Sequence, residues 1–132
     1  MTSVLLRHAS AGDRDEWDGD DLSRPLDARG RRQAADLVAL LRPFEVTRVL
    51  SSPYLRCVAT VEPLAAALGL EVEQDERLAE GAGPAAFELL HEDGAVCCTH
   101  GDIVHEALGH GLKKGAAVVL RDGKVVERLR AK

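Results

Sequence analysis

Residues 3–8 read Ser3-Val4-Leu5-Leu6-Arg7-His8, a short apolar run that ends abruptly in two polar residues. A continuous apolar run of this length is typical of a strand buried on both faces of a parallel sheet. Two later runs have the same form: Arg48 to Ser51 is followed by Ser52, and Ala95 to Cys98 is followed by Thr99-His100. Ligands of open parallel sheets bind at the carboxyl ends of the strands. We therefore expect these polar residues to meet in one crevice.

Helical patterns separate the strand-like runs. Asp27 is a suitable N-cap for a first helix, which Pro43 ends, and Pro53 suits the first turn of a second helix that stops at Gly69. The remaining periodicity predicts a strand over 71–73 and helices over 84–91 and 102–108. Strands that alternate with helices predict an α/β fold with three layers, α/β/α, and a largely parallel sheet.

The last part of the chain predicts a C-terminal β-hairpin. Strand-like runs over 117–120 and 124–129 flank Arg121-Asp122-Gly123, and Asp-Gly between such runs is a strong hairpin signal. No internal repeat or linker-like tract interrupts the chain, and 132 residues suit one sizeable core. We expect a single domain over residues 1–132.

Composition argues against several classes of protein. The net charge is −5 and the basic residues are scattered, unlike the basic face of a nucleic-acid-binding protein. No apolar run approaches the ~20 residues of a membrane helix, and the first residues do not resemble an export signal. The cysteines, Cys57, Cys97 and Cys98, are odd in number and predict no disulfide framework. We expect a cytoplasmic protein with neither a nucleic-acid nor a membrane partner.

Four residues near the strand ends suit the chemistry of phosphoryl transfer. The guanidinium groups of Arg7 and Arg56 can each donate two parallel hydrogen bonds to phosphate oxygens. A neutral imidazole, such as that of His8, can attack phosphorus and form a phosphohistidine intermediate. His100, held as a hydrogen-bond donor, would complete a cage around the phosphoryl group. Each residue alone has an ordinary structural explanation, so the combination carries the prediction.

These residues belong to spaced motifs that resemble the histidine phosphatase superfamily, whose fold is phosphoglycerate mutase-like. The motifs are Leu5-Leu6-Arg7-His8-Ala9, Leu26-Asp27-x-x-Gly30-x-x-Gln33-Ala34, Ser51-Ser52-Pro53-x-x-Arg56-x-x-x-Thr60 and Thr99-His100-Gly101. The loop from Ala9 to Leu26 is similar to that of two compact groups within the superfamily. These are the SixA-type phosphohistidine phosphatases and the phosphatase domains fused to Nudix hydrolases.

The resemblance implies a role for each site residue. The nucleophile would be His8, and the phosphate ligands would be Arg7, His8, Arg56, His100 and Gly101. Glu80, in Arg77-Leu78-Ala79-Glu80-Gly81, stands where other members keep a proton donor, which helps an alkoxide to leave. Phosphohistidine hydrolysis needs such an acid less, because the leaving imidazole can carry its own proton.

Three functions are compatible with these motifs. The first is a SixA-like phosphatase that hydrolyses phosphohistidine or a phosphomonoester through a phosphorylated His8. The second is a nucleoside phosphate phosphatase of the Nudix-associated type, and the third is a non-catalytic, phosphate-binding regulatory module. The expected partners are a phosphorylated protein or a small phosphorylated metabolite or nucleotide, and neither a cofactor nor a metal is expected.

A metal site is the alternative explanation for the cysteines and histidines around residue 100. His100, His105 and His110 are spaced by five residues, which does not keep ligands on one helix face, and there is no Cys-x-x-Cys pair. We interpret the adjacent pair Cys97-Cys98 as buried core, and His91, His105 and His110 as surface residues.

Two loops bear on the shape of the pocket. Ala9 replaces the glycine that usually follows the Arg-His pair, a change that would tighten the pocket floor. Only a short stretch links Glu80 to the next strand, where large mutases of the superfamily carry a long helical insertion. This predicts an open, shallow pocket that is unsuited to a glycolytic mutase, since a mutase must exclude water. The segment from Asp13 to Asp21 holds six acidic residues. It is either a solvated turn or an acidic rim that selects a phosphorylated protein surface, with Trp17 as an apolar anchor.

Overall fold

Six strands form one mixed sheet in the computed structural model, which describes residues 1–132. The strands are β1 (Thr2–Arg7), β2 (Arg48–Ser51), β3 (Val72–Gln74), β4 (Ala95–Thr99), β5 (Ala116–Arg121) and β6 (Lys124–Arg130). Their order in the sheet is β3-β2-β4-β1-β5-β6. The first four strands of this order are parallel, whereas β5 pairs antiparallel with both β1 and β6. The prediction of a largely parallel sheet that ends in a hairpin is confirmed.

Three α-helices and five 3-10 helices accompany the sheet. The α-helices are α1 (Ala28–Leu41), α2 (Leu55–Leu68) and α3 (Gly101–Leu108). The 3-10 helices are Arg14–Glu16, Asp21–Ser23, Arg42–Phe44, Glu76–Leu78 and Gly83–His91. Asp27 caps α1 as predicted, because its Oδ1 accepts a hydrogen bond from the Gly30 N–H (2.8 Å). None of the helices is both long enough and apolar enough to cross a membrane.

Alternate residues of β1 face opposite layers. Val4 and Leu6 pack with Leu37 and other side chains of α1 and α2 in the larger core cluster. Leu5 points to the other face and packs with Val104 of α3. Because β1 is apolar on both faces, it occupies the middle of the sheet, as its continuous apolar run predicted. The three-layer α/β/α arrangement is therefore confirmed.

The start of α2 differs from the prediction. α2 begins at Leu55, so Pro53 precedes the helix and does not occupy its first turn. The cause is local: the Oγ of Ser52 accepts the N–H of Tyr54 (3.2 Å), and Tyr54 is the extended N-cap residue. This hydrogen bond holds Pro53 in a bend between β2 and α2. The helix ends at the predicted residue, Gly69, which has a left-handed conformation (φ 69°).

The C-terminal hairpin turns at two residues. Asp122 and Gly123 both have positive φ, 53° and 80°, which is the geometry of the tight turn that matches the twist of antiparallel strands. β5 is buried except for Arg121, whereas β6 forms an edge of the sheet and is mostly exposed. The hairpin thus covers one side of β1 and leaves the carboxyl end of β1 accessible.

Candidate active site

Three side chains lie at the carboxyl edge of the parallel strands, each directly after a strand end. His8 follows β1, Ser52 follows β2 and His100 follows β4. Backbone hydrogen bonds hold these ends together: the His8 N–H donates to the carbonyl of Thr99 (3.0 Å), and the Ser52 N–H donates to that of Cys98 (3.0 Å). All three side chains are buried. We call His8, Ser52 and His100 the floor of the site.

The imidazole of His8 has one ring nitrogen occupied by the backbone. Its Nδ1 lies 2.8 Å from the carbonyl oxygen of Ala9, and because a carbonyl only accepts hydrogen bonds, Nδ1 carries the proton. The Ala9 N–H in turn donates to Oγ1 of Thr60 (2.9 Å), which fixes this loop on α2.

Burial keeps His8 uncharged. Burial is the largest cause of a lowering of the pKa of His8 to about 3; the hydrogen bond to Ala9 opposes it, and the electrostatic effects of His100, Arg56 and Arg7 add to it. At neutral pH the ring therefore carries no charge, and Nε2 has a free lone pair. This is the protonation state that a histidine nucleophile needs.

Arg7 lies beside His8 and has an unused hydrogen-bond donor. One terminal nitrogen donates to the carbonyl of Leu112 (2.8 Å), while the buried Nε has no hydrogen-bond partner. The guanidinium lies close against Gly101: a Cβ at that position would come within 3.1 Å of the Arg7 Cζ. Gly101 therefore leaves room for the Arg7 guanidinium at the start of α3. Burial lowers the pKa of Arg7.

His100 is held from both sides of its ring. Its Nδ1 lies 3.4 Å from a terminal nitrogen of Arg56, and its Nε2 lies 2.8 Å from Oγ of Ser52. Since a guanidinium only donates, Nδ1 accepts the hydrogen bond and Nε2 carries the proton that Ser52 receives. The rings of His100 and His8 face each other edge-on, with centroids 5.5 Å apart. The two histidines therefore border the same small space.

Arg56 occupies a different place from the one expected. It was predicted to line the crevice with Arg7, but its guanidinium is buried and does not line the pocket. The cause is Asp21, whose backbone carbonyl and Oδ2 accept hydrogen bonds from the two terminal nitrogens of Arg56 (2.9 and 3.2 Å). The buried Nε of Arg56 has no partner. Arg56 lies behind His100 and contributes positive charge from there.

A polar pocket of about 540 Å³ opens above the floor. It is lined by Arg7, His8, Ser10, Gly12, Asp13, Arg14, Arg24, Asp27, Glu80, His100, Gly101 and Lys114. The structure thus brings together the predicted residues Arg7, His8, His100, Gly101 and Glu80. The bottom of the pocket is more buried than the expected shallow opening, since His8 is only 5% exposed and His100 1%.

Glu80 lies on the wall of this pocket and is paired with arginines. Its carboxylate accepts a hydrogen bond from a terminal nitrogen of Arg14 (2.9 Å), and a terminal nitrogen of Arg56 lies 3.7 Å away. The side chain of Glu80 is 35% exposed, so a ligand in the pocket can reach it. Its position is compatible with a proton donor, but its carboxylate already serves as the acceptor for Arg14.

The acidic segment is folded rather than a plain solvated turn. It forms the two 3-10 helices Arg14–Glu16 and Asp21–Ser23, and the side chains of Asp13 and Asp20 cap them. The Trp17 indole N–H donates to the carbonyl of Asp20 (3.0 Å), and the ring is 38% exposed. We call residues 13–24 the acidic loop; it forms one wall of the pocket.

A comparison with protein families identifies the family of this chain. Residues 3–88 match the model of the histidine phosphatase superfamily (branch 1). The chain belongs to the histidine phosphatase superfamily. The matched residues include β1 with Arg7 and His8, β2, and α2 with Arg56.

Individual members of the superfamily and solved structures resemble the chain to different degrees. An 8-oxo-(d)GTP phosphatase from Mycolicibacterium smegmatis is 38% identical in an alignment of length 112 that covers 78% of this chain and 35% of the relative, so the chain spans about a third of that protein. The structure of the protein histidine phosphatase SixA in complex with tungstate matches with a TM-score of 0.73 at 23% identity, covering 98% of this chain and 97% of the other. A mutant phosphoserine phosphatase from Entamoeba histolytica bound to phosphoserine matches with a TM-score of 0.70 at 15% identity, covering 96% and 95%. These structural matches confirm the phosphoglycerate mutase-like fold.

The remaining histidines and the cysteines of this superfamily member lie apart from the pocket lining. His91, His105 and His110 are exposed, and the cysteines are free and buried. No group of three or more His, Cys, Asp or Glu side chains is arranged to hold a metal ion. Burial raises the pKa of Cys97 to about 12, as expected for a core thiol.

Four pocket or supporting residues escaped the sequence analysis as individuals: Arg14, Asp21, Arg24 and Lys114. In the sequence, nothing distinguishes Arg14, Asp21 and Arg24 from the rest of their loop. A buried arginine without a local acid, such as Arg56, signals that a distant carboxylate must pair with it. Lys114 had no motif, and only the fold brings it to the pocket.

Proposed function

We propose that this chain is a metal-independent phosphatase in which His8 accepts the phosphoryl group of the substrate. The single observation that carries this proposal is the state of His8, neutral and buried, with Nδ1 bound to Ala9 and Nε2 free at the bottom of a cationic pocket. Nε2 attacks phosphorus and the leaving group departs. Water then attacks the phosphohistidine, releases inorganic phosphate and restores the imidazole.

The residues around His8 have separate parts in this proposal. The unused Nε of Arg7 donates to a phosphoryl oxygen, and Gly101 leaves room for that approach. His100 borders the space for the phosphoryl group, with Nε2 bound to Ser52 and Nδ1 to Arg56. Arg56 orients His100 from a buried position in which both of its terminal nitrogens donate to Asp21, whose carboxylate partly balances its charge. The transferring group thus meets positioned donors and little solvent.

A nucleoside phosphate is the substrate that we place first. The relative that is 38% identical is named an 8-oxo-(d)GTP phosphatase, although the chain spans only about a third of it. A phosphohistidine protein, the SixA-like alternative that the motifs placed first, is second here, because the match to SixA at 23% identity speaks only for the fold. The acidic loop remains the feature that favours it, as a rim for a protein surface.

Replacement of the nucleophile tests the proposal. His8→Ala should lower the turnover of p-nitrophenyl phosphate by at least about a thousandfold, as expected when a covalent step is lost. Alkaline quenching of a turnover mixture should trap an acid-labile phosphate on the peptide that bears His8. An adduct on another peptide would sink the assignment, and a wild-type protein inert toward nucleotides, phosphoproteins and p-nitrophenyl phosphate would leave only the non-catalytic alternative.

Glu80→Gln tests the proton donor. If Glu80 protonates the leaving group, this change should slow the hydrolysis of alkyl phosphates, whose alkoxide leaving group needs a proton, by about tenfold or more. The rate of phosphoramidate hydrolysis should stay unchanged. If Glu80→Gln changes the rates on both substrate classes by the same factor, or changes neither, Glu80 serves only to pair with Arg14.

A further inference from the structure

The short turn before β5 is anchored next to the nucleophile. The carbonyl of Leu112 accepts a hydrogen bond from Arg7 (2.8 Å), and the carbonyl of Lys114 accepts one from Nε2 of Gln33 (3.4 Å). The N–H of Gly115 donates to the carbonyl of His8 (3.0 Å). Gly115 has φ 79°, and a Cβ there would crowd Gln33 at 3.1 Å. The backbone of this turn is therefore fixed relative to the floor.

Lys114 extends from this turn to the pocket and has no carboxylate partner. It lines the pocket but takes part in none of the ion pairs of the structure. Lys114 is exposed. Its partial desolvation lowers its pKa, and the positive charges of Arg7 and Arg24 lower it further, against the attraction of Asp27. The ammonium group therefore lies among like charges and forms no salt bridge with a protein anion.

The acidic groups of the pocket are already engaged. The carboxylate of Asp27 accepts hydrogen bonds from Oγ of Ser10 (2.7 Å) and from the N–H groups of Gly12 (3.1 Å) and Gly30 (2.8 Å). Glu80 is paired with Arg14. Asp13, the third acidic side chain of the lining, accepts the N–H of Asp15 (2.9 Å) and forms no ion pair. Around Lys114, the positive charges of Arg7, Arg24 and Arg56 outnumber the negative charge of Asp27.

Arg24 contributes a second free donor on the same side. Its Nε binds Asp21 (3.1 Å), and one terminal nitrogen binds the carbonyls of Ala11 and Gly12 (2.8 and 3.1 Å). The other terminal nitrogen has no hydrogen bond in the protein, and Arg24 lines the pocket. The volume of about 540 Å³ is within the range of pockets that hold ligands much larger than one phosphate.

We propose that Lys114 and Arg24 form a second anion subsite, which binds the phosphate next to the one transferred to His8. The substrate class is then a nucleoside diphosphate or triphosphate rather than a monophosphate. This inference rests on the proposed function, because it takes His8 as the point of attack. It assigns Lys114 as a residue that determines specificity.

The chemistry of such a substrate fits the surroundings of Glu80. A bond forms between Nε2 of His8 and the terminal phosphorus, and the bond from that phosphorus to the bridging oxygen breaks. The leaving group is a nucleotide shortened by one phosphate, whose new negative charge Lys114 stabilises. Water then forms the new P–O bond and releases the phosphate from Nε2. A phosphate leaving group needs less help from a proton donor than an alkoxide does, so the pairing of Glu80 with Arg14 does not hinder it.

Binding of small phosphonates tests the subsite without any turnover. Calorimetry should show that methylenediphosphonate binds at least about tenfold more tightly than methylphosphonate, the size of one charge-assisted interaction. Lys114→Met should remove most of this preference, and Lys114→Arg should retain it. Lys113→Met is the matched control, because Lys113 is the neighbouring, exposed lysine outside the pocket lining. Equal loss in the Lys113 variant, or no preference in the wild type, overturns the subsite.

Turnover separates the subsite from the proposed function. Lys114→Met should lower kcat/KM for GDP about tenfold more than kcat/KM for p-nitrophenyl phosphate, which carries no second phosphate. Equal losses on both substrates would overturn the subsite while the phosphatase function stands. If no substrate shows turnover that depends on His8, the proposed function fails, and the phosphonate affinities still decide whether Lys114 binds the second anion.

Discussion

The floor and the acidic loop hold their polar side chains in opposite ways. On the floor, His8 and His100 follow strand ends whose backbone hydrogen bonds fix their positions, and both are almost fully buried. The acidic loop depends more on its side chains: those of Asp13 and Asp20 cap its two 3-10 helices, Arg14 pairs with Glu80, and Asp21 pairs with Arg24 and Arg56. The floor is thus organised by the sheet, and the loop is organised by charge.

The two regions also differ in whether their polar groups are free to bind a ligand or are paired within the protein. The floor and the adjacent Arg7 keep two groups free to bind a ligand, the lone pair on Nε2 of His8 and the N–H at Nε of Arg7. The acidic loop uses its best-placed carboxylate, Asp21, to neutralise Arg56. Of the six acidic residues of this loop, Asp21 forms ion pairs, whereas Asp13 and Asp20 cap the two 3-10 helices.

The largest expected effect concerns the contact between the two regions. Asp21→Ala should lower the free energy of unfolding by about 2 kcal/mol, because the buried Arg56 guanidinium loses its hydrogen-bonded carboxylate and keeps only that of Glu80, 3.7 Å away. The partial exposure of Asp21 and the nearby Glu80 reduce the effect below that of a fully buried pair. Urea denaturation measures it. The control is Asp18→Ala, an exposed acid of the same loop outside every ion pair, for which about 0.5 kcal/mol or less is expected. Equal effects would mean that the loop and the floor are independent.

A smaller effect tests positioning within the floor. Ser52→Ala should lower kcat for p-nitrophenyl phosphate by about tenfold with little change in KM, because His100 loses the acceptor that fixes its ring. Ser51→Ala removes an equally buried hydroxyl that binds only the carbonyl of Ser52. It should lower stability but leave kcat unchanged. Ser52→Thr should restore most of the activity. A proportional rise in KM would instead assign Ser52 to substrate binding.

The smallest effect is the acid sensitivity that His8 gives to the floor. The pKa of His8 is lowered from 6.5 to about 3 on folding, so the unfolded chain binds the proton first and stability is lost as pH falls through this window. Relative to His8→Asn, the wild type should lose about 1 kcal/mol between about pH 6 and about pH 5. Urea denaturation at both values measures the difference. His105→Asn, a change at an exposed histidine, is the control, and identical pH dependence of the wild type and His8→Asn would contradict the assigned burial.

The same contrast explains what the sequence could predict. The floor was predictable because each residue directly follows a local apolar run, and the ends of parallel strands meet at one edge. The pairing of Asp21 with Arg56 was not, because six acids in one short segment offer no local reason to choose one. The pair of Arg14 and Glu80 spans 66 positions of the chain and depends on the finished fold.

Two smaller differences have local causes. Pro53 suits a first helical turn by its backbone angle, but the hydroxyl of Ser52 captures the Tyr54 N–H and delays α2. Arg56 was predicted to line the pocket because its motif lies near a strand end, and the same motif does not reveal that Asp21 would cover it. In both cases a hydrogen bond between a side chain and the backbone decided the outcome.

The hydrogen bond from Nδ1 of His8 to the Ala9 carbonyl also limits the product of phosphoryl transfer. Phosphohistidine exists as two positional isomers, with phosphorus on Nδ1 or on Nε2. Because Nδ1 of His8 carries a proton that it donates to a carbonyl, it has no free lone pair to attack phosphorus. The covalent intermediate should therefore be the Nε2 isomer alone, distinguishable from the Nδ1 isomer by its phosphorus chemical shift. A single backbone oxygen thus determines the regiochemistry of the reaction.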